Sequence, residues 1–214
     1  MIGLTDKKEA LEIIHSLADT YPHAKCELEY GDVFQLLVAV ILSAQCTDKR
    51  VNQITKGLFK KLPDVYAFDK IPLAELEKDI YSCGFYHNKA KNIKNTSRDI
   101  IERFNGNVPS SFEQLLTLAG VGRKTASVVY SVGFGGNAIA VDTHVFRTSN
   151  RIGFVNAKNP LETEKGLRAL FPEKMYAQIH HLLIFHGRYC CHSQSPDCMH
   201  CPIKNHCRYI IKKI

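Results

Sequence analysis

Residues 118–129 read LAGVGRKTASVV, and the rest of the fold can be worked outward from them. Two glycines flank Val121, and two cations, Arg123 and Lys124, stand where a helix should begin. Glycine reaches backbone angles closed to other residues, so Gly120 and Gly122 make a tight turn between two helices easy. Cations sit poorly at a helix N-terminus, where the macrodipole is already positive. The placement argues for a role beyond folding.

With no side chains in the way, the N–H groups of the turn and of the following helix start can approach a phosphate closely. That is the pattern of a helix-hairpin-helix, which holds a DNA backbone without reading bases. A plain turn punctuated by glycines would use the same letters. Lys124 sharpens the first reading, although a solvated surface lysine is its plain alternative. An ammonium beside a second cation at the positive end of a helix has its neutral form favoured. A neutral lysine amine attacks sugar or carbonyl carbons to give a Schiff base. Asp142, in AIAVDTHVFR, follows 18 residues later, where an apolar run meets a helix start. It reads first as an N-cap. A carboxylate fixed there could also take a proton or stabilise a cationic sugar.

Outside the turn, apolar spacing predicts helices over 5–20, 32–44 and, capped by Thr47 or Asp48, through Val51, Ile54, Leu58 and Leu62. A shorter helix follows Pro72, and longer ones cover 87–105, 111–118, 123–133 and Asp142 to about 152. Pro160 and Pro172 each suit the first position of a further helix. On 87–105, Lys91, Lys94 and Arg98 form a basic face opposite Ala90, Ile93, Ser97, Ile100 and Phe104. No alternating strand pairs or repeats occur, and AIAV (138–141) reads as a buried connector. The expected fold class is all-α.

The 214 residues, 45% hydrophobic, suffice for one large domain or two small ones and exclude general disorder. A formal charge of +7 favours an anionic partner such as nucleic acid. The opening MIGLTDKKEALEII lacks the pattern of a signal peptide. The longest apolar stretch, VFQLLVAVILSA, is short and interrupted by glutamine, so a membrane span is excluded and a cytoplasmic location is expected.

Five of the eight cysteines, Cys190, Cys191, Cys198, Cys201 and Cys207, crowd the last 25 residues. A secreted disulfide framework would spread them more widely, so the crowding points to metal. Cys191-x6-Cys198-x2-Cys201-x5-Cys207 contains a single C-x2-C unit, whereas zinc usually takes two close pairs. A [4Fe-4S] cluster, held by four cysteines, fits better. Cys190 is then surplus and structural, while Cys26, Cys46 and Cys83 read as small buried apolar groups.

LSAQCTD (42–48), GFYHNKA (84–90), LAGVGRKTA (118–126), VDTHVFR (141–147), HGRYC (186–190) and the four-cysteine loop, in this order, resemble the endonuclease III family. The resemblance runs from about residue 5 to the C-terminus. It implies a bifunctional DNA N-glycosylase and AP lyase that removes oxidised pyrimidines from duplex DNA, or acts at an abasic site, as a monomer. The implied architecture is two helical parts flanking a DNA-binding cleft. One is a helical barrel over 26–136 with the hairpin at about 111–133; the other joins 1–25 to 137–214, with the cluster loop at 191–207. Lys124 and Asp142 match the family's catalytic lysine and aspartate, and Cys191, Cys198, Cys201 and Cys207 its cluster ligands. Gln45 matches the residue that fills the space of the extruded nucleotide, and Phe85 stands at the intercalating wedge, usually leucine. Gly120, Gly122, Arg123 and Lys91 would contact DNA, with Lys204 and Arg208 as further cations near the cluster. Ala119 replaces the proline usual before the turn. An adenine-removing relative would lack a lysine at 124, and a non-catalytic DNA-binding module would have lost Lys124 or Asp142. A zinc scaffold would be colourless.

Overall fold

The computed structural model describes residues 3–211, all helix and connecting turn, with no strand among the described residues. In chain order the helices are α1 (Lys7–Thr20), α2 (Val33–Ser43), α3 (Asp48–Lys61), α4 (Val65–Lys70), α5 (Leu73–Asp79) and α6 (Tyr86–Phe104). They continue with α7 (Phe112–Leu115), α8 (Arg123–Val128), α9 (Thr143–Ile152), α10 (Pro160–Leu170), α11 (Tyr176–Tyr189) and α12 (Arg208–Ile211). A π-helical turn, Val129–Gly133, extends α8, and a 3₁₀ turn, Glu173–Met175, precedes α11. None of these helices is long and apolar enough to cross a membrane.

The chain divides into two compact units, Glu27–Gly136 and the pair of segments Met1–Cys26 and Asn137–Ile214. In the first, α2 is central: Phe34 and every residue from Leu36 to Leu42 are buried. Asp32 starts it, its Oδ1 accepting from the Gln35 N–H at 2.8 Å. Thr47 starts α3 in the same way, accepting from the Arg50 N–H at 3.3 Å. Such caps satisfy donors that the first turn of a helix cannot pair internally.

Helix α4 was not anticipated. At six residues it is too short to show a period or to stand alone. Asp64 caps it, and Phe68, fully buried, meets Phe34 and Phe59 at centroid distances of 5.4 and 6.4 Å. Its other end is held by Lys94, whose Nζ donates to the carbonyls of Asp69 and, at 2.7 Å, Ile71. Arg98 lies 3.6 Å from the Asp69 carboxylate. The expected basic face of α6 therefore keeps Lys91 exposed, while Lys94 and Arg98 are turned to α4.

In the second unit, α1 buries Ala10, Ile13, Ile14 and Leu17 against Val145, Ile152, Leu167, Ile179, Leu182 and Leu183. Arg208 closes this unit from the far end of the sequence. Its guanidinium pairs both Glu9 carboxylate oxygens and reaches the carbonyl of Gly3 at 3.1 Å, so it is an internal anchor and not a free cation for DNA. Three boundaries also differ from expectation. The helix predicted over 111–118 shortens to α7 because the chain turns from Leu116, Pro172 opens the 3₁₀ turn before α11, and α12 follows the last cysteine. Cys83 is buried as expected, but Cys26 and Cys46 are only half-buried.

Candidate functional site

The glycine turn lies between α7 and α8. Ser111 caps α7, accepting from the Gln114 N–H at 3.4 Å. The turn is tied to α6 by Thr96, whose hydroxyl donates to the Ala119 carbonyl, and by Arg103, which donates to the Thr117 hydroxyl at 2.7 Å. The two glycines have different work. Gly120 has φ +70°, and a Cβ there would stand 2.6 Å from Cβ of Asn92 on α6. Gly122 has φ −83° and ψ 175°, ordinary extended backbone, and a Cβ on it would meet nothing within 4 Å.

Gly122 is the N-cap of α8 and supplies no side-chain acceptor to the first turn. The space that a Cβ of Gly122 would fill is open, which leaves room for an anion to approach the start of α8. Arg123 and Lys124 are both exposed on this first turn, and the Arg123 guanidinium lies 5.4 Å from the centroid of the Phe112 ring. The lysine is thus held on a short, well-anchored helix with its amine outward.

Two further turns of the same unit present Gln45 and Phe85. Both side chains are exposed, Phe85 to 65%, and both residues are left-handed, with φ 53° and 58°. Non-glycine residues rarely adopt that region, and such strain persists where the surroundings enforce it. The turns touch, since a Cβ on Gly84 would lie 3.9 Å from the Gln45 carbonyl oxygen. Lys89, on the first turn of α6, points inward and donates to the Leu42 carbonyl at 2.8 Å, capping the end of α2. Burial holds its amine below the ordinary lysine range. Nothing in the sequence distinguishes this lysine from its exposed neighbours.

In the other unit, Asp142 is the N-cap of α9, its Oδ1 accepting from the Val145 N–H at 2.8 Å. Its neighbour His144 is held below the ordinary histidine range, mainly by burial and also by Arg147 and Arg188, with Asp142 opposing. One turn apart on α9, Arg147 and Arg151 reach into the cysteine loop. Arg147 donates to the Cys191 carbonyl at 3.1 Å and the Gly187 carbonyl at 2.9 Å. Arg151 donates to Cys191 Sγ at 3.5 Å and to the carbonyls of His192 and Ser193 at 2.6 and 3.0 Å.

All eight cysteines are free thiols. Cys191, Cys201 and Cys207 are buried and Cys198 half-buried. Burial pushes the Cys201 and Cys207 thiols up, and the neighbouring thiols add to this: Cys191 and Cys207 act on Cys201, Cys191 and Cys198 on Cys207. Cys190, pushed up to about 12 by burial and by Cys201, lies with Cys201 Sγ and a His186 ring nitrogen within 4.8 Å of one another. Several thiols crowded out of water cannot all ionise unaided, whereas a bound cation deprotonates coordinating thiols outright. The donor set therefore suits a soft, thiolate-bound metal. Arg147 and Arg151, which hold the loop, were missed by sequence reasoning; their spacing of four places them on one face of α9, but their partners are far away in sequence.

A glycine-turn helix pair bearing an exposed lysine, in a wholly helical chain with a cysteine loop, defines the class. Residues 38–173 match the HhH-GPD superfamily of base excision DNA repair proteins. The chain is 50% identical to endonuclease III of Bacillus subtilis (strain 168), over 91% of this chain and 90% of that one. It is 46% identical to endonuclease III of Synechocystis, over 94% and 92%. A solved structure of a trapped endonuclease III–DNA covalent intermediate, the estranged-adenine complex, superposes with TM-score 0.94 at 46% identity, covering 98% and 99% of the two chains. The chain belongs to the endonuclease III family, the DNA glycosylase/AP lyase enzymes of base excision repair.

Proposed function

We propose that this enzyme removes oxidised pyrimidines from duplex DNA and cuts the strand 3′ to the resulting abasic site, acting as a cytoplasmic monomer with Lys124 as its nucleophile. One observation carries the reading: an exposed lysine amine on the first turn of α8, directly after a glycine N-cap with open space where a side chain would stand. A relative that overlaps this chain almost throughout was solved as a covalent intermediate with DNA, which supports it.

The damaged nucleotide leaves the stack, at a cost that is lower for a weakened pair. Gln45 and Phe85 enter the vacated space. Strained, exposed turn residues suit that role, because they project beyond the helices that hold them. The Lys124 amine attacks C1′, the N-glycosidic bond breaks, and the base departs with a proton. The ring-opened Schiff base acidifies the C2′ proton, whose loss expels the 3′ phosphate by β-elimination. Water then releases the amine. Asp142 assists proton movement or stabilises the cationic sugar, a general acid–base role of roughly 10²–10⁴-fold. Gly120, Gly122 and Arg123 hold the DNA backbone, and Lys91 adds sequence-independent attraction. The Glu27–Gly136 unit thus acts as the barrel domain that bears the nucleophile, and the discontinuous unit bears Asp142 and the cysteine loop.

Cys191, Cys198, Cys201 and Cys207 would hold a [4Fe-4S] cluster, which orders the loop and takes no part in bond breaking. The guanidinium of Arg151 beside Cys191 complements thiolate charge there. The test is strand nicking and base release on a duplex with one oxidised pyrimidine. Lys124→Gln should abolish both, and Asp142→Asn should slow both; base release at the wild-type rate by Lys124→Gln would refute the assignment.

A further inference from the structure

Two thiols and a buried amine meet beneath the turns that present Gln45 and Phe85. Cys46 follows Gln45 directly, its N–H donating to the Ser43 carbonyl at 3.1 Å. Cys83 precedes Gly84 and Phe85, and its N–H donates to the Ile80 carbonyl at 2.8 Å. The two thiols lie close enough to influence one another, and they flank the point where the two turns meet. The backbones of the two turns touch at Gly84 and Gln45, and Lys89, bonded to the Leu42 carbonyl, places its charge beside both sulfurs. Arg50 adds a second cation near Cys83. Neither the glycosylase chemistry nor the cysteine loop uses this group.

The thiols are not equivalent. Cys46 is half-buried, so a small oxidant can reach it. Cys83 is fully buried, and burial pushes its thiol up to about 11, so it is a poor first target and a well-placed second one.

We propose that Cys46 and Cys83 form a reversible disulfide on exposure to hydrogen peroxide, a modification site that clamps the two turns together. The Cys46 thiolate attacks one peroxide oxygen, the O–O bond breaks, and Cys46 becomes a sulfenic acid with release of water. The Cys83 sulfur then attacks the Cys46 sulfur, its proton leaves with the displaced hydroxyl as water, and the S–S bond forms. Peroxide is reduced to two waters and the two thiols are oxidised; an exogenous dithiol reverses the change by exchange. A disulfide fixes its Cβ atoms about 3.8 Å apart with a narrow torsion. Gln45 and Phe85, one and two residues from the bridged positions, lose the freedom to enter a duplex. This consequence rests on the roles proposed for Gln45 and Phe85; the bond itself does not.

The experiment exposes the cluster-loaded protein to hydrogen peroxide, alkylates free thiols, and maps peptides, with nicking of the lesion duplex measured on the same samples. A Cys46–Cys83 cross-linked peptide, about 2 Da lighter than the sum of its parts, is expected, with a roughly tenfold loss of nicking that a dithiol restores. Cys83→Ala and Cys46→Ser should nick normally and keep their activity under peroxide. Equal loss of activity in wild type and Cys83→Ala, tracked by fading absorbance near ~400 nm, would place the damage at the cysteine loop and overturn the proposal. Absence of the cross-linked peptide in a reduced sample that nicks normally would also overturn it. A reduced protein that does not nick would instead count against the proposed function, while the peptide map still decides the disulfide.

Discussion

Replacing Gly120 by alanine separates what the turn needs for folding from what it offers to a ligand. Two costs follow from the geometry. The residue sits at φ +70°, where a Cβ adds about 1–2 kcal/mol. That Cβ would also stand 2.6–2.7 Å from Cβ, Cγ and Nδ2 of Asn92, a contact relieved only if the turn and α6 move apart. Overpacking of this kind costs about 1–3 kcal/mol. Gly120→Ala should therefore lose about 2–5 kcal/mol in urea unfolding, with the midpoint lowered and the slope unchanged. Gly122→Ala has extended backbone and nothing within 4 Å, so its cost should stay below about 1 kcal/mol, the usual range for a weakened N-cap. Its methyl group instead occupies the open space before α8 and should weaken duplex binding several-fold. A Gly120→Ala protein as stable as wild type would refute the steric argument, and a Gly122→Ala protein with unchanged affinity would refute the open-face argument.

Other substitutions test neighbouring claims. Lys94→Met leaves the Asp69 and Ile71 carbonyls at the end of α4 without this donor and should cost about 1–3 kcal/mol with little change in DNA affinity, whereas Lys91→Met should keep stability and reduce the salt slope of binding by about 1. The opposite pattern would show that the sorting of the α6 cations is wrong. Arg151→Leu removes the donors to Cys191 Sγ and two loop carbonyls; iron retention under a chelator should fall about 10–100-fold, and unchanged retention would contradict the loop-holding role. Burial pushes His181 down to about 4 from an ordinary 6.5. The unfolded chain thus binds the proton first, so the stability from keeping this ring neutral is fully present above about pH 6.5 and lost as pH falls towards 4, a span worth about 3 kcal/mol. His181→Gln should flatten the unfolding free energy across that window, and an unaltered slope would remove His181 as the cause.

The sequence carried the features that are local. Thr47 and Asp142 announce their helices because a cap acts on donors two or three residues away. The α2 run is apolar all round because the helix is buried all round. The hairpin is legible because paired glycines mark a tight turn, and Gly120 does take a positive φ there. It was less clear which glycine the backbone requires, since Asn92, the neighbour that excludes a Cβ at 120, lies 28 residues earlier in the chain. The long cations were the least legible. Lys89, Lys94, Arg98 and Arg208 look like solvated charges in a helical pattern, yet each finds a partner set by packing: the ends of α2 and α4, and Glu9 at the other terminus. A flexible side chain with several donors fits many environments, so its letter says little about its destination. Helix α4 and the hold of Arg147 and Arg151 on the cysteine loop were hidden for the same reason, being products of contact between distant segments.

The central claim is that the amine of Lys124 bonds to the deoxyribose. It is tested most directly by borohydride reduction during reaction with a duplex bearing one oxidised pyrimidine, beside Lys124→Ala. The account predicts a stable protein–DNA adduct in the wild type, mapped to the peptide containing Lys124, and none in the variant. An adduct of equal yield in Lys124→Ala, or tight binding and base release by the wild type with no adduct, would contradict it.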